Sequence, residues 1–337
     1  MLENVVCNVC GSASYRVLYK KRDPLSRQSF NVVVCSKCDL GFVNPRPTAE
    51  IMKHYYHAHY YLNRFDDKKG LPGKKKTGLV KLYEFFWRTY SRYYPPRVLK
   101  TEKDICNRYT KGGGKLLDIG CANGDFLNVM QDSGFEVCGL EFSDHFINKF
   151  GLNIFKGRLC DAPYSAHCFH LVTMWAVLEH VSDPMEYLKE IHRILKPGGV
   201  VIFLVPNLKS VPFGICHNDD IPRHLYLFSP KTIKEMLTRS HLTLKALIHT
   251  NSIFYGGMRG CVIQLILRAL GMHSEKIETL NKPIVELLAN RELGIVRYGA
   301  IVLSLADALV SFFLTPLLSI LRYNGIIVVV AEKQTDF

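Results

Sequence analysis

Leu116-Leu117-Asp118-Ile119-Gly120-Cys121-Ala122-Asn123-Gly124-Asp125-Phe126 is the stretch on which the fold turns. An apolar run, a turn of mostly small residues and a return to apolar positions read as a buried strand, a tight connection and a helix start. Gly120 and Gly124, with Ala122 between them, let a ligand approach the backbone, where the N–H groups of the helix start can meet it. Working outward, residues 115–119, 136–140, 170–174 and 200–205 read as short buried strands. Residues 124–133, 143–150 and 185–195 read as the helices between them. A further helix over 228–239, a strand over 243–249 and a last strand over 326–331 complete the pattern. This alternation predicts an α/β fold with a doubly wound, mostly parallel sheet. Glu141 closes the second strand, 21 residues after Gly120, where an acid in such a sheet meets the hydroxyls of a ribose. A nucleoside-containing cofactor is the expectation.

Two later motifs and the front of the chain carry a resemblance. Val177-Leu178-Glu179-His180-Val181, followed by Asp183-Pro184, stands after the fourth strand, and Leu195-Lys196-Pro197-Gly198-Gly199 enters the fifth. Together with residues 118–126 and the CxxCG, CxxC, NPRP and YY patterns upstream, they make the sequence similar to the class I S-adenosylmethionine-dependent methyltransferases. Within these it resembles bacterial sugar and small-molecule methyltransferases with an N-terminal four-cysteine module, over roughly four fifths of the chain. The resemblance implies a Rossmann-like fold and S-adenosyl-L-methionine as cofactor. It puts that cofactor against Asp118, Gly120, Cys121, Ala122, Gly124, Glu141, Cys160, Asp161 and Ala162. Asp118 would orient the methionine amino end, Glu141 would hold the ribose, Asp161 would meet the adenine amine, and Cys160 and Ala162 would border the base. One departure is Phe169-His170, where the family usually has Phe-Asp and the acid supports the local fold.

Cys7-x-x-Cys10 and Cys35-x-x-Cys38 are separated by 24 residues. Each pair can bend round one ion, so four thiolates meet tetrahedrally and leave no open position for chemistry, as in structural zinc sites. Alternation over residues 31–34 suggests short strands. The other seven cysteines are scattered singly, the usage of a reduced compartment. The first ten residues lack the basic start and long apolar run of a secretory signal, so a cytoplasmic protein is expected.

Four segments follow: a zinc-binding module over 1–45, a helical, aromatic-rich and basic connector or cap over 46–110, a catalytic domain over 111–257 plus 324–337, and an apolar helical insertion over 258–323. In the connector, Thr48 is placed to cap a helix, residues 54–61 read HYYHAHYY, and Lys68, Lys69, Lys74, Lys75 and Lys76 form a basic loop. A second helical run over 79–94 ends at Pro95 and Pro96. In the insertion, Ser304, Asp307, Ser311, Thr315 and Ser319 draw a polar stripe opposite Ile301, Val302, Leu305, Leu309, Phe312 and Phe313. The formal charge of +13 favours anionic surroundings. These features predict attachment to the inner face of the cell membrane without crossing it, with a homodimer interface or a lid over the site as competing uses of the insertion.

For chemistry, the polar groups where strand ends converge are Glu179 and His180 after the fourth strand, Asn207 after the fifth, and Arg223-His224. His224 is the first choice of base, His180 the second, and Glu179 the group that orients them. The Glu-His pair lacks the additional carboxylate of related metal-dependent enzymes, so no active-centre metal is expected. The acceptor expected is a small or lipid-linked metabolite, best a sugar or polyprenyl-phosphate glycan precursor. Nucleic acid is the less favoured partner, because basic and aromatic residues do not interleave as on an RNA-binding face. A non-catalytic cofactor-binding or membrane-associated protein is the remaining alternative.

Overall fold

The N-terminal cysteines are set in a small antiparallel sheet. In the computed structural model, β1 (Leu2–Glu3), β2 (Tyr15–Arg22), β3 (Ser29–Cys35), β4 (Gly41–Val43) and β5 (Arg46–Pro47) precede α1 (Ala49–Tyr55). The structure describes residues 2–23, 26–55, 96–110, 112–210, 220–250, 253, 306–307, 309–310, 313–314 and 316–334. The HYYHAHYY run beyond residue 55, the basic loop, the helix expected over 79–94 and all of the insertion before residue 306 lie outside these. β2 and β3 pair antiparallel, β3 pairs with β4, and Phe30, Val32, Val33 and Val34 are buried on β3.

The described residues 96–109 are helical and are labelled α2. Then come β6 (Gly114–Ile119), α3 (Asp125–Gln131), β7 (Phe135–Glu141), β8 (Ile154–Lys156), β9 (Phe169–Trp175), α4 (Pro184–Ile194) and β10 (Leu195–Pro206). After these follow β11 (Tyr226–Leu227), α5 (Pro230–Arg239), β12 (Leu242–His249) and β13 (Ile326–Lys333). Seven strands form one sheet in the order β12-β13-β10-β9-β6-β7-β8. β6, β7, β8, β9 and β10 are mutually parallel, whereas β13 is antiparallel to both neighbours. Order reverses beside β6, so the switch point lies where the glycine-rich turn leaves the sheet, the place such sheets bind ligands. β6, β9, β10 and β13 are near-continuous apolar runs because helices and loops cover both faces.

The sheets are not separate bodies. β11, from the segment after His224, pairs antiparallel with β4, so the small sheet has the order β11-β4-β3-β2. One apolar cluster runs from Cys7, Val33 and Phe42 through Tyr226 and Phe228 to Leu117, Val172 and Phe203. Thr232 of α5 donates to the carbonyl of Cys38 at 2.8 Å.

Two expectations need correction. Residues 143–150 do not form a helix. Here side chains capture the amides a helix would use: Glu141 accepts from Ser143 N–H, Ser143 Oγ from His145 N–H, Asn123 from Ile147 N–H and Asn148 from Leu152 N–H. The Lys196-Pro197-Gly198-Gly199 turn does not precede the fifth strand. It is an irregularity within β10, where the register with β9 shifts between Leu195 and Val200.

Candidate active site

The turn after β6 is built from left-handed backbone. Gly120 has φ 75°, Ala122 φ 47° and Gly124 φ 83°. A Cβ at Gly120 would lie 2.5 Å from Val177 Cγ2, so this glycine serves both the turn and the approach of the segment after β9. Glu141 holds the loop: Oε2 accepts Ala122 N–H at 2.9 Å and Oε1 accepts Ser143 N–H at 2.8 Å. Each carboxylate oxygen has a second lone pair, so these bonds are compatible with a ribose diol.

Beneath the turn, Asp118 is 2% exposed and accepts from Thr173 Oγ1 at 2.7 Å. Burial, reinforced by the charge of Glu141, pushes its carboxyl up to about 8. The sequence reading missed a third carboxylate here. Glu102 of α2 is 3% exposed, and burial and the charge of Asp118 raise it well above the ordinary range. A signal was present: Val98, Leu99, Ile105, Cys106 and Tyr109 form the packed stripe of α2, and Glu102 interrupts it at helical spacing. Three buried carboxylates gathered at one turn suit a cationic ligand. Trp175 Nε1, at the end of β9 beside Phe126, is buried with no acceptor among the described residues, so a polar ligand would have a donor to meet.

The other cofactor-side residues fall as follows. Cys121 is buried, and burial raises its thiol. Cys160, Asp161 and Ala162 lie on and just after a 3₁₀ turn (Leu159–Asp161), with Ala162 buried. Asp161 is exposed and pairs with Arg158 at 2.9 Å, which holds its carboxyl below the ordinary range. His170 occupies the position of the missing acid. Its Nδ1 accepts Lys115 N–H at 2.9 Å, so the local acceptor is an imidazole, and burial with Lys196 nearby holds the ring below its ordinary pKa.

Glu179, His180 and His224 come together although 43 residues separate the first two from the third: one ligating atom of each lies within 4.8 Å of the others. Their rings and chain are held from several sides. The His180 and His224 rings meet edge to face at 4.7 Å. Leu225 N–H donates to the Glu179 carbonyl at 2.8 Å, and His180 Nδ1 is 3.0 Å from the Arg223 carbonyl. A carbonyl can only accept, so the neutral His180 ring carries its proton on Nδ1 and its lone pair on Nε2. His224 Nδ1 faces the Asp220 amide at 3.5 Å and is the acceptor of that contact.

Cys7, Cys10, Cys35 and Cys38 form the second cluster, with their sulfurs within 4.8 Å of one another. Cys7 and Cys38 are 3.4 Å apart and Cys10 and Cys35 3.5 Å, near the ~3.8 Å edge of a tetrahedron with zinc–sulfur bonds of ~2.3 Å. The Cys38 thiol beside it draws Cys7 down to about 5. The set fits one structural zinc.

Residues 86–247 match a methyltransferase-domain family. The central sheet has the Rossmann-like mixed α/β arrangement typical of class I methyltransferases. Among curated relatives, the demethylmenaquinone methyltransferase of Lysinibacillus sphaericus (strain C3-41) is 32% identical over 115 residues, 30% of this chain and 48% of that protein. The ubiquinone biosynthesis O-methyltransferase of Idiomarina loihiensis is 33% identical over 115 residues, 31% of this chain and 47% of that protein. The chain thus spans about half the length of these relatives. Among solved structures, a SAM-dependent methyltransferase from Archaeoglobus fulgidus aligns with TM-score 0.45 and 17% identity, over 74% of this chain and all of that one.

Proposed function

We propose that this protein transfers a methyl group from S-adenosylmethionine to a small lipid- or quinone-related metabolite. The observation that carries the reading is the buried acidic cluster of Glu102, Asp118 and Glu141 around the glycine turn, within residues that match a methyltransferase-domain family. The relatives' names support a lipid-like acceptor. A sugar or polyprenyl-phosphate glycan precursor is the finer form of the proposal, supported by the four-cysteine module and the +13 charge.

When bound, S-adenosylmethionine supplies a methyl group on a sulfonium, which leaves as a neutral thioether. Asp118 and Glu102 would face its cationic end and Glu141 its ribose. His180 would take the acceptor's proton on Nε2, because the Arg223 carbonyl already fixes the other proton on Nδ1. This reverses the order read from the sequence, which put His224 first. Glu179, buried beside both rings, stabilises the imidazolium.

The decisive test is transfer of radiolabelled methyl from the cofactor into lipid, quinone and nucleotide-sugar fractions, each identified by mass spectrometry. Glu141→Ala is expected to weaken cofactor binding by about 1–3 kcal/mol in calorimetry, by losing a charge-assisted partner and the anchor of the loop. Unchanged affinity, or no cofactor binding by the native chain, would overturn the assignment.

A second proposal concerns location. The helical residues between 306 and 320 turn Asp307 inward, at 2% exposed, while Leu309, Phe313, Leu317 and Ile320 are exposed. This arrangement supports attachment to an anionic membrane surface. No helix among the described residues is long and apolar enough to cross a membrane.

A further inference from the structure

We propose that Asp23, at the hairpin between β2 and β3 of the cysteine module, is a positioning residue for the active-centre histidines and acts through Arg223. The proposal rests on the reading of His180 as the base. Asp23 is fully buried and 200 residues from its partner: Arg223 Nη2 donates to its Oδ1 at 3.2 Å. Asp23 is itself fixed, because Oδ2 accepts Ser26 N–H at 2.7 Å and the backbone pairs with Gln28 and Arg27 across the turn. Arg223, 4% exposed, also gives Nε and Nη2 to Asp220 Oδ1, at 2.8 and 2.6 Å.

Asp220 alone could hold this guanidinium, but Asp220 lies in the same turn and moves with it. Asp23 is a charged group that ties the guanidinium to another part of the fold. The consequence reaches the reacting ring, since the carbonyl of this same Arg223 receives the His180 Nδ1 proton, and His224 is the next residue. The backbone on the far side is also gripped by the module: Leu225 O accepts Val43 N–H at 3.1 Å, and Tyr226 pairs with Phe42. Arg46 closes the arrangement by donating to Tyr226 Oη at 2.8 Å. The turn from Asp220 to Leu227 is thus held between the module and the segment after β9. Without Asp23 the guanidinium keeps Asp220 but loses its tie to the module, so the turn and its Arg223 carbonyl can shift relative to His180.

The test reads the tautomer of His180 directly by nitrogen-15 NMR of histidine-labelled full-length protein, with the signal assigned by its loss in His180→Gln. Zinc content and thermal midpoint are measured alongside. In the native protein the neutral ring is expected almost wholly as the Nδ1–H form. In Asp23→Ala, with zinc retained, the Nε2–H form is expected to rise at least tenfold, and Asp23→Asn, which keeps an oxygen acceptor, should fall between. A zinc-loaded, folded Asp23→Ala whose His180 remains wholly Nδ1–H would overturn the proposal. If Asp23→Ala does not fold, Asp23→Asn and Arg223→Lys are read the same way, and an unchanged tautomer in both overturns it equally. No methyl acceptor is needed, so failure of this coupling and failure of the methyltransferase reading are separately visible.

Discussion

Asp118 shows how a single residue's burial becomes a property of the whole protein. Its carboxyl titrates near 4 in an unfolded chain and is pushed up to about 8 in the fold. A group whose folded pKa is raised contributes stability that is complete below its unfolded pKa and is lost as pH rises through the folded one. The cofactor-free protein is therefore expected to lose up to ~1.4 kcal/mol per pH unit between about pH 5 and 8 from this group. Glu102 acts in the same direction. Thermal unfolding across that range should show a falling midpoint that flattens in Asp118→Asn, and affinity for the cationic cofactor should rise with pH over the same interval. A midpoint that climbs from pH 6 to 8 in both proteins would show that Asp118 is ionised without its ligand. Of these two buried acids the sequence pointed only to Asp118. Glu102 stood in view as a break in an apolar stripe, but nothing in the sequence said that the stripe of α2 faces β6.

At the scale of elements, periodicity served where the element is buried and failed where side chains compete for the backbone. β6, β9 and β10 are apolar on both faces, so their positions were readable to within a few residues. The 143–150 segment carries helix-like spacing, yet Glu141, Ser143, Asn123 and Asn148 bind its amides first. The described helical residues between 306 and 320 give the opposite lesson. The alternation placed Asp307 on one side and Leu309 and Phe313 on the other, and the described side chains follow it. If that face meets a membrane, the intact protein should float with phosphatidylglycerol vesicles at low salt, and Leu317→Ser/Ile320→Ser should reduce the bound fraction at least about fivefold. Intact protein left at the bottom of the gradient, with anionic or neutral vesicles alike, would reject the attachment.

The molecule as a whole joins the four-cysteine module to the central sheet by a shared strand and the contacts around it. β11 belongs by sequence to the catalytic segment and by hydrogen bonding to the sheet of the cysteines. Removal of zinc by a thiol-compatible strong chelator is expected to expose four reactive cysteines and lower turnover more than about tenfold, because the Asp220–Leu227 turn loses its wall. The glycine turn and Glu141 lie on the far side of β6, so cofactor affinity should change by less than about threefold, under 1 kcal/mol. Loss of cofactor binding in step with zinc would show that the two parts do not separate in this way.

The sequence by itself determined what depends on local order. The glycine turn needs left-handed backbone, the cysteine pairs need only their spacing to chelate, and buried strands announce themselves by apolar runs. Only the tertiary structure decided what depends on long-range closure. It brought Asp23 to Arg223 across 200 residues, set His224 against Glu179 and His180, and put His170 in the place of an acid as the acceptor for Lys115. It also decided which nitrogen of His180 carries the proton, since that follows from a carbonyl 43 residues away. Side-chain type can be read along a chain, but partnership is fixed only when burial removes water as the alternative partner.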